Sequence, residues 1–257
     1  MENRPLTAVT SFQTVDLRVD LGEGAGSDAV HTDPQYGYAV TLLESDSDLT
    51  GSGITYTLGG GTNLVCDAIR LLVEPIVGCD IEELMAQFGR VQKQIAEHPQ
   101  IRWLGPHKGV IHSALSSISN ACFDLWAKHR GVPLWRLLLD LEPEAIVALI
   151  DLSYYEDVLT HDEAITILQR LRSTRTARMR VLQAGYPGYD TSVGWFQYSD
   201  EKIRDNAKRA VDAGFTAMKL KVGSPDAERD VRRAHLVREV VGDSAQIMLD
   251  ANQAWSL

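Results

Sequence analysis

Between residues 14 and 20, apolar Val15, Leu17 and Val19 alternate with polar Asp16, Arg18 and Asp20, a period of two that sets one strand face on a core and the other in water. Gly22, Gly24 and Gly26 break this run into a loop. Apolar runs return at 38–44 and 54–57, separated by turn residues at 45–48 and by Gly51 and Gly53, which predicts a small antiparallel meander. Beyond it the period lengthens. Residues 62–77 and 81–98, where helices are expected to follow the meander, have mixed apolar periodicity and are bounded by turn or capping candidates, Gly59-Gly60-Gly61 and Asp80. The clearest helix spans 112–129, where Leu115, Ile118, Cys122, Leu125 and His129 share one stripe, and Gly131 and Pro133 end it.

After about Leu149 the texture changes to alternating units. Ser199, Asp200 and Glu201 open a helix with the stripe Ile203, Ala207, Ala210 and Val211, stopped by Gly214. Residues 215–222 read as a strand. Ser224 as N-cap and Pro225 as first helical residue then start a helix with Val231, Ala234, Val237 and Val241 on one side, closed by Gly242. Residues 246–250 read as a strand again, so the order is that of a parallel α/β barrel or open sheet. No repeat of solenoid period is present.

Composition narrows the function classes. With 257 residues, 44% hydrophobic and 23% charged, the chain suits one large or two modest packed domains. A formal charge of -10 argues against nucleic acid or an anionic membrane as partner. The one basic stretch, Arg170, Arg172, Arg175, Arg178 and Arg180, has no interleaved aromatics and reads as a solvated helix face or a connecting loop. Cys66, Cys79 and Cys122 fit neither a disulfide framework nor a CxxC metal site, which points to a reducing compartment. Residues 1–14 have no apolar leader-like run, and the expectation is a soluble, cytoplasmic protein.

The chemistry sits late in the chain. In Lys219-Leu220-Lys221 the lysines are two apart on a strand, so both amines leave one face and are expected to depress each other's pKa, favouring the neutral form that a base needs. Asp250, in Leu249-Asp250-Ala251-Asn252, ends the next strand one βα unit later, which brings its carboxylate to the same rim. Without the lysines, Asp250 would serve equally well as an N-cap.

Lys219-Leu220-Lys221 followed by Asp250-Ala251-Asn252 resembles the enolase superfamily. The stretch from Asn120 to Leu139, with Asp124, Trp126, Lys128, Gly131, Pro133 and Leu137-Leu138, is similar to the last helix of that family's capping domain. Several loops resemble those that close over substrate in the L-fuconate dehydratases of the mandelate racemase-like group. They are Gly26-Ser27-Asp28 with His31-Thr32-Asp33-Pro34 and Tyr36; Gly53-Ile54-Thr55-Tyr56-Thr57; Gly59-Gly60-Gly61-Thr62-Asn63; and Gly185-Tyr186-Pro187-Gly188-Tyr189-Asp190-Thr191-Ser192 with Gly194-Trp195. The resemblance implies an α+β capping domain over 1–148 followed by the start of an α/β (β/α)-barrel over 149–257, an incomplete TIM-type barrel.

The resemblance, and not the spacing, also implies the reaction: L-fuconate to 2-keto-3-deoxy-L-fuconate, by a lysine base with Mg2+ on the ene-diolate. It implies Lys221 as the residue that takes or returns the α-proton, Lys219 as binder of the substrate carboxylate, Asp250 as a metal ligand and Asn252 as partner of a substrate hydroxyl. Gly26, Ser27, Asp28 and Tyr36 would close over the distal end of a small sugar acid. Another sugar-acid dehydratase or a racemase would share this half-site, and a non-catalytic homologue serving as an interaction module is the reading from a different class. About 75 residues follow Val181, too few for eight barrel strands, so the remaining metal carboxylates and an opposing His-Asp dyad have no positions here. The expectation is therefore a fragment, inactive by itself, of a protein for which a homo-oligomer is the state to test when complete.

Overall fold

The computed structural model describes residues 6–105 and 109–256; residues 1–5, part of the stretch inspected for a leader, lie outside them. Strands β1 (Val9–Val19), β2 (Tyr36–Ser45) and β3 (Thr50–Thr57) form one sheet in that order, β2 and β3 antiparallel with Tyr38 opposite Tyr56. Helices α1 (Thr62–Leu72), α2 (Ile81–Met85), α3 (Phe88–Ala96), α4 (Val110–His129), α5 (Leu134–Asp140), α6 (Pro143–Ala148), α7 (His161–Leu171) and α8 (Arg175–Ala184) follow. Then come β4 (Asp190–Gly194), α9 (Asp200–Asp212), β5 (Ala217–Lys221), α10 (Ala227–Val241) and β6 (Gln246–Asp250), with the strands parallel in the order β4-β5-β6. This is the expected fold class, an α+β part followed by the β/α repeats that begin a barrel. Among the described residues no helix is long and apolar enough to cross a membrane.

Contacts divide the chain into two compact units: the chain up to Arg18 with Gly37–Gly185, and Val19–Tyr36 with Tyr186–Leu257. Residues 149–185, which the sequence reading grouped with the barrel, thus fall in the first unit. The reason is local: α7 and α8 lean on α5 and α6 through the arginine-rich stretch. Arg175 donates to the carbonyls of Leu139 (2.5 Å) and Leu141 (3.0 Å), the otherwise unsatisfied end of α5, and Arg172 pairs with Glu142 at 2.8 Å.

In the first unit the core is a helix laid on a sheet. Ile111, Ala114, Ile118, Ala121, Cys122 and Leu125 of α4 are fully buried with Val9, Ala39, Leu43, Ile69 and Phe88. The approach is close enough that a Cβ on Gly53 would stand 1.9 Å from the Ser117 carbonyl oxygen, and one on Gly51 2.3 Å from that of Ala121. Gly51 and Gly53 are therefore not turn residues, as the pattern suggested, but part of β3. They clear a path for α4, and Ser117 Oγ reaches the Gly53 and Ala39 carbonyls at 3.1 Å. The segment 53–57 is strand, as the apolar run at 54–57 predicts, and not the loop that the resemblance implies.

Two further expectations change. Val15, Leu17 and Val19 of β1 are exposed, because alternation fixes which residues share a face but not whether anything packs on it. The helix expected over 62–77 ends at Leu72 and gives way to a 3₁₀ turn at Glu74–Ile76, where Pro75 offers no amide hydrogen, and 81–98 splits into α2 and α3 at Ala86-Gln87.

The second unit has its own core of Val193, Ile203, Ala207, Ala210, Met218, Leu220, Val237 and Val241. Here too the helix edges differ. The α10 N-cap is Asp226, whose carboxylate accepts from the amides of Glu228 and Arg229, in place of Ser224. Val231 and Val211 are exposed, whereas Asp230 and Arg233 take the buried side of α10.

Candidate active site

The parallel register puts Lys221 beside Asp250 and Lys219 beside Met248, and Leu220 between the lysines is fully buried on the opposite face. Both amines therefore leave the sheet on the side where β6 delivers its terminal carboxylate. Lys219 Nζ lies 2.8 Å and Lys221 Nζ 2.7 Å from the same oxygen, Asp250 Oδ2. Lys221, 7% exposed, also donates to Asn252 Oδ1 at 3.0 Å, and the Asn252 amide donates to Asp250 Oδ1 at 2.9 Å. Asn252 takes the left-handed conformation (φ 51°) that lets its amide and its side-chain oxygen address the cluster together. Two rings border the amines: Tyr189 is 5.7 Å from Lys219 Nζ and Trp195 is 5.9 Å from Lys221 Nζ.

Charge balance around Asp250 decides its titration. Burial would raise the Asp250 carboxyl, but hydrogen bonds from Lys219, Lys221 and the Asn252 amide outweigh it and hold the group well below the usual carboxylate range. Lys219 moves upward, mainly through its hydrogen bond to Asp250 and against the effect of burial. The expected mutual depression is thus corrected for Lys219: a carboxylate set between two amines favours the ammonium more than the second amine opposes it.

The loop at residues 20–35 belongs to the same unit as these strands. Gly26 (φ 77°) packs so tightly that a Cβ would meet the Tyr36 ring at 2.9 Å. Ser27 is fully buried; its Oγ donates to the Gly24 carbonyl (2.6 Å) and accepts from the Gln197 amide (2.9 Å), while its own carbonyl accepts from the Phe196 amide (3.0 Å). Asp28 Oδ1 accepts from the amides of Val30 (2.8 Å) and His31 (2.7 Å), and its Nδ1 neighbour on His31 lies at 3.2 Å. Although burial would raise the Asp28 carboxyl, these bonds lower it. A Cβ on Gly223 would touch the Cβ of Ala29 and that of Ala254, each at 2.9 Å, so this loop reaches the exits of β5 and β6. Gly26 thus packs on Tyr36, Ser27 on the turn at 196–197 and Asp28 on its own loop, while Ala29 of the same loop reaches the backbone beyond the lysine strand.

Helix α10 contributes residues that periodicity passed over. Asp230 Oδ2 accepts from the amides of Gly223 and Ser224, both at 2.8 Å, immediately beyond Lys221-Val222. Arg233, 1% exposed, donates to the carbonyls of Trp195 (2.7 Å) and Phe196 (3.1 Å). Burial and the neighbouring Arg229 lower Arg233 to about 10. A charged pair three residues apart on an otherwise apolar helix face was the available signal.

The magnesium expected at Asp250 meets a limited donor set. Both Asp250 oxygens are engaged by amines or an amide, and among the described residues no group of three His, Cys, Asp or Glu side chains could hold a metal ion. Magnesium asks for near-octahedral oxygen coordination, so the described side chains do not by themselves make its site.

With that geometry in view, the likenesses to known proteins are informative. Residues 202–257 match the family described as enolase C-terminal domain-like. The chain is 39% identical over 250 residues to human mitochondrial enolase superfamily member 1, covering 96% of this chain and 56% of that protein. The crystal structure of the human protein superposes with a TM-score of 0.91 at 37% identity, over 98% of this chain and 58% of that one. L-galactonate dehydratase of Hypocrea jecorina is 36% identical over 254 residues, 97% of this chain and 56% of that enzyme. A Polaromonas L-talarate dehydratase, crystallised with Mg and L-glucarate, shares the fold with a TM-score of 0.65 at 20% identity, over 97% of this chain and 54% of that one. The chain thus spans about half the length of the relatives it matches.

Proposed function

We propose that this chain, an enolase-superfamily sequence over the residues it spans, carries the lysine half of the active site of an acid-sugar dehydratase acting on L-fuconate in L-fucose catabolism. The observation that supports this most is the convergence of Lys219 and Lys221 on one oxygen of Asp250, within 2.8 Å, at a common strand rim. In this reading residues 1–148 serve as a capping part and 149–257 lead into the barrel, their first stretch to residue 185 being packed within the first unit, in a cytoplasmic protein.

Lys221, the more buried amine, removes the α-proton, and the electron pair left behind spreads into the substrate carboxylate, whose growing charge Lys219 meets as a fixed ammonium. The β-hydroxyl then leaves with a proton as water, and the enol product tautomerises to the 2-keto-3-deoxy acid. To act as base Lys221 needs a lone pair, so its nitrogen must give up a proton to solvent and release Asp250 Oδ2 before it takes the α-proton. Asn252 addresses a substrate hydroxyl, and Gly26, Ser27, Asp28 and Tyr36 shape the distal pocket, the two polar side chains holding the loop's form. Magnesium is the proposed cofactor of the whole protein, with Asp250 one ligand among donors that the described residues do not supply.

A second reading, L-galactonate as substrate, is favoured by the 36% identity to the Hypocrea enzyme. The test is a panel of L-fuconate, L-galactonate, galactarate and L-talarate offered to the complete protein with magnesium, scored for 2-keto-3-deoxy products. Preference for L-fuconate is expected. Turnover of L-galactonate alone selects the second reading, and no turnover of any member defeats both.

A further inference from the structure

The turn that leaves β4, residues 195–197, is gripped from two sides. From α10, Arg233 donates to the Trp195 and Phe196 carbonyls at 2.7 and 3.1 Å, and Arg229 donates to the Phe196 carbonyl at 2.5 Å with its guanidinium 4.4 Å from the Phe196 ring centre. From the 20–35 loop, Ser27 takes the amides of Phe196 and Gln197 on its carbonyl and hydroxyl. The carbonyls of Trp195 and Phe196 are thus held by α10 and the amides of Phe196 and Gln197 by Ser27 of the loop. Gly24 lies against the same turn, where a Cβ would stand 3.0 Å from Gln197 Cβ.

An arginine that is 1% exposed is costly to bury, and a core position could be filled by an apolar residue at no such cost. Its Nη groups go to carbonyls of this turn, and its Nε has no partner, so the side chain is shaped to the turn and not to a salt bridge. The adjacent Asp230 ties the exit of β5 to the same helix. One face of α10 thus holds the backbone beyond β4 and beyond β5, the strand that carries both lysines.

We propose that Arg233, with Arg229, is a positioning residue that keeps turn 195–197 as the seat on which Ser27 fixes the 20–35 loop, next to the ring of Trp195 and the Lys221 amine. The placement of the loop rests on the function proposed above; the seat itself does not. Loss of the arginine contacts frees the turn carbonyls, loosens the Ser27 anchor and leaves the loop ajar, while the lysines and Asp250 stay on their strands.

Amide hydrogen exchange of the protein reads the seat directly. In Arg229→Met and Arg233→Lys the amides of Phe196, Gln197 and residues 24–31 are expected to exchange roughly tenfold faster or more, with those of β5 and α9 unchanged. Ser27→Ala should give the same pattern, and combining it with Arg229→Met should add little, because both act on one turn. Folded variants whose loop amides stay as protected as wild type would overturn the proposal, as would a uniform loss of protection across the unit. Should Arg233→Lys fail to fold, Arg229→Met decides alone.

In the complete enzyme, Arg229→Met should raise KM for the sugar acid several-fold with kcat changed by less than about twofold, and Arg229→Lys should restore most of the loss. A fall in kcat with KM unmoved counts against a loop seat. If no sugar acid is turned over at all, the functional reading fails while the exchange experiment still judges the seat.

Discussion

Asp250 accepts from both lysine side chains and from the Asn252 amide, and it therefore sets how the two amines can differ. Lys219, the more exposed of the pair, is held as an ammonium and suits charge stabilisation; Lys221 is buried and lies beside Trp195. In the complete protein, Lys221→Ala is expected to abolish exchange of the substrate α-proton with solvent deuterium, a loss of at least 10³-fold, with the circular dichroism spectrum unchanged. Exchange that persists, followed by NMR, would assign the base to another residue. This much was legible in the chain, because a strand's period of two puts residues 219 and 221 on one face and a βα unit returns residue 250 to the same rim. The upward shift of Lys219 was not, since it depends on a carboxylate reaching between the amines, a distance that sequence spacing does not contain.

At the scale of elements, the closest fit in the first unit is α4 across β3, backbone on backbone at Gly51 and Gly53. A methyl group at Gly53 meets main-chain atoms of a helix held by its own hydrogen bonds, so neither side can yield cheaply. Gly53→Ala should lower the unfolding free energy by about 1–3 kcal/mol, the range for overpacking a tight core. Gly60→Ala, where a Cβ meets nothing within 4 Å, is the matched control. Urea titration of both variants checks this, and coincident midpoints would contradict the packing described. The same glycines show why elements are read more easily than their roles. Helix 112–129 and strand 246–250 follow from side-chain periodicity, and both were found within two residues of their expected bounds. Gly51 and Gly53 read as chain breaks in the sequence because their use is a neighbour's backbone, and Asp230 and Arg233 give no periodic signal because periodicity picks out apolar faces.

Across the whole molecule, ion pairs among the described residues compensate many of the charges, and in the candidate site Asp250, the proposed metal ligand, is already bound by two lysines. That arrangement is self-sufficient without a cation: the ammonium groups already compensate Asp250, and magnesium would have to displace them while keeping most of its water. A ligand that binds only the folded state stabilises it in proportion to the logarithm of its concentration over its dissociation constant. The 257-residue chain should therefore show a melting temperature that moves by less than about 1 °C on adding magnesium to roughly ten millimolar, because a weak single-carboxylate site gives little linkage. If the proposed function holds in a protein as long as the relatives this chain matches, with further carboxylates competing against the lysines for the ion, that protein should gain several degrees under the same conditions, and Asp250→Asn should remove most of that gain. Differential scanning calorimetry separates the cases. A shift of several degrees in the 257-residue chain that survives Asp250→Asn would mean that the ion binds elsewhere, and the assignment of Asp250 as its ligand would fall.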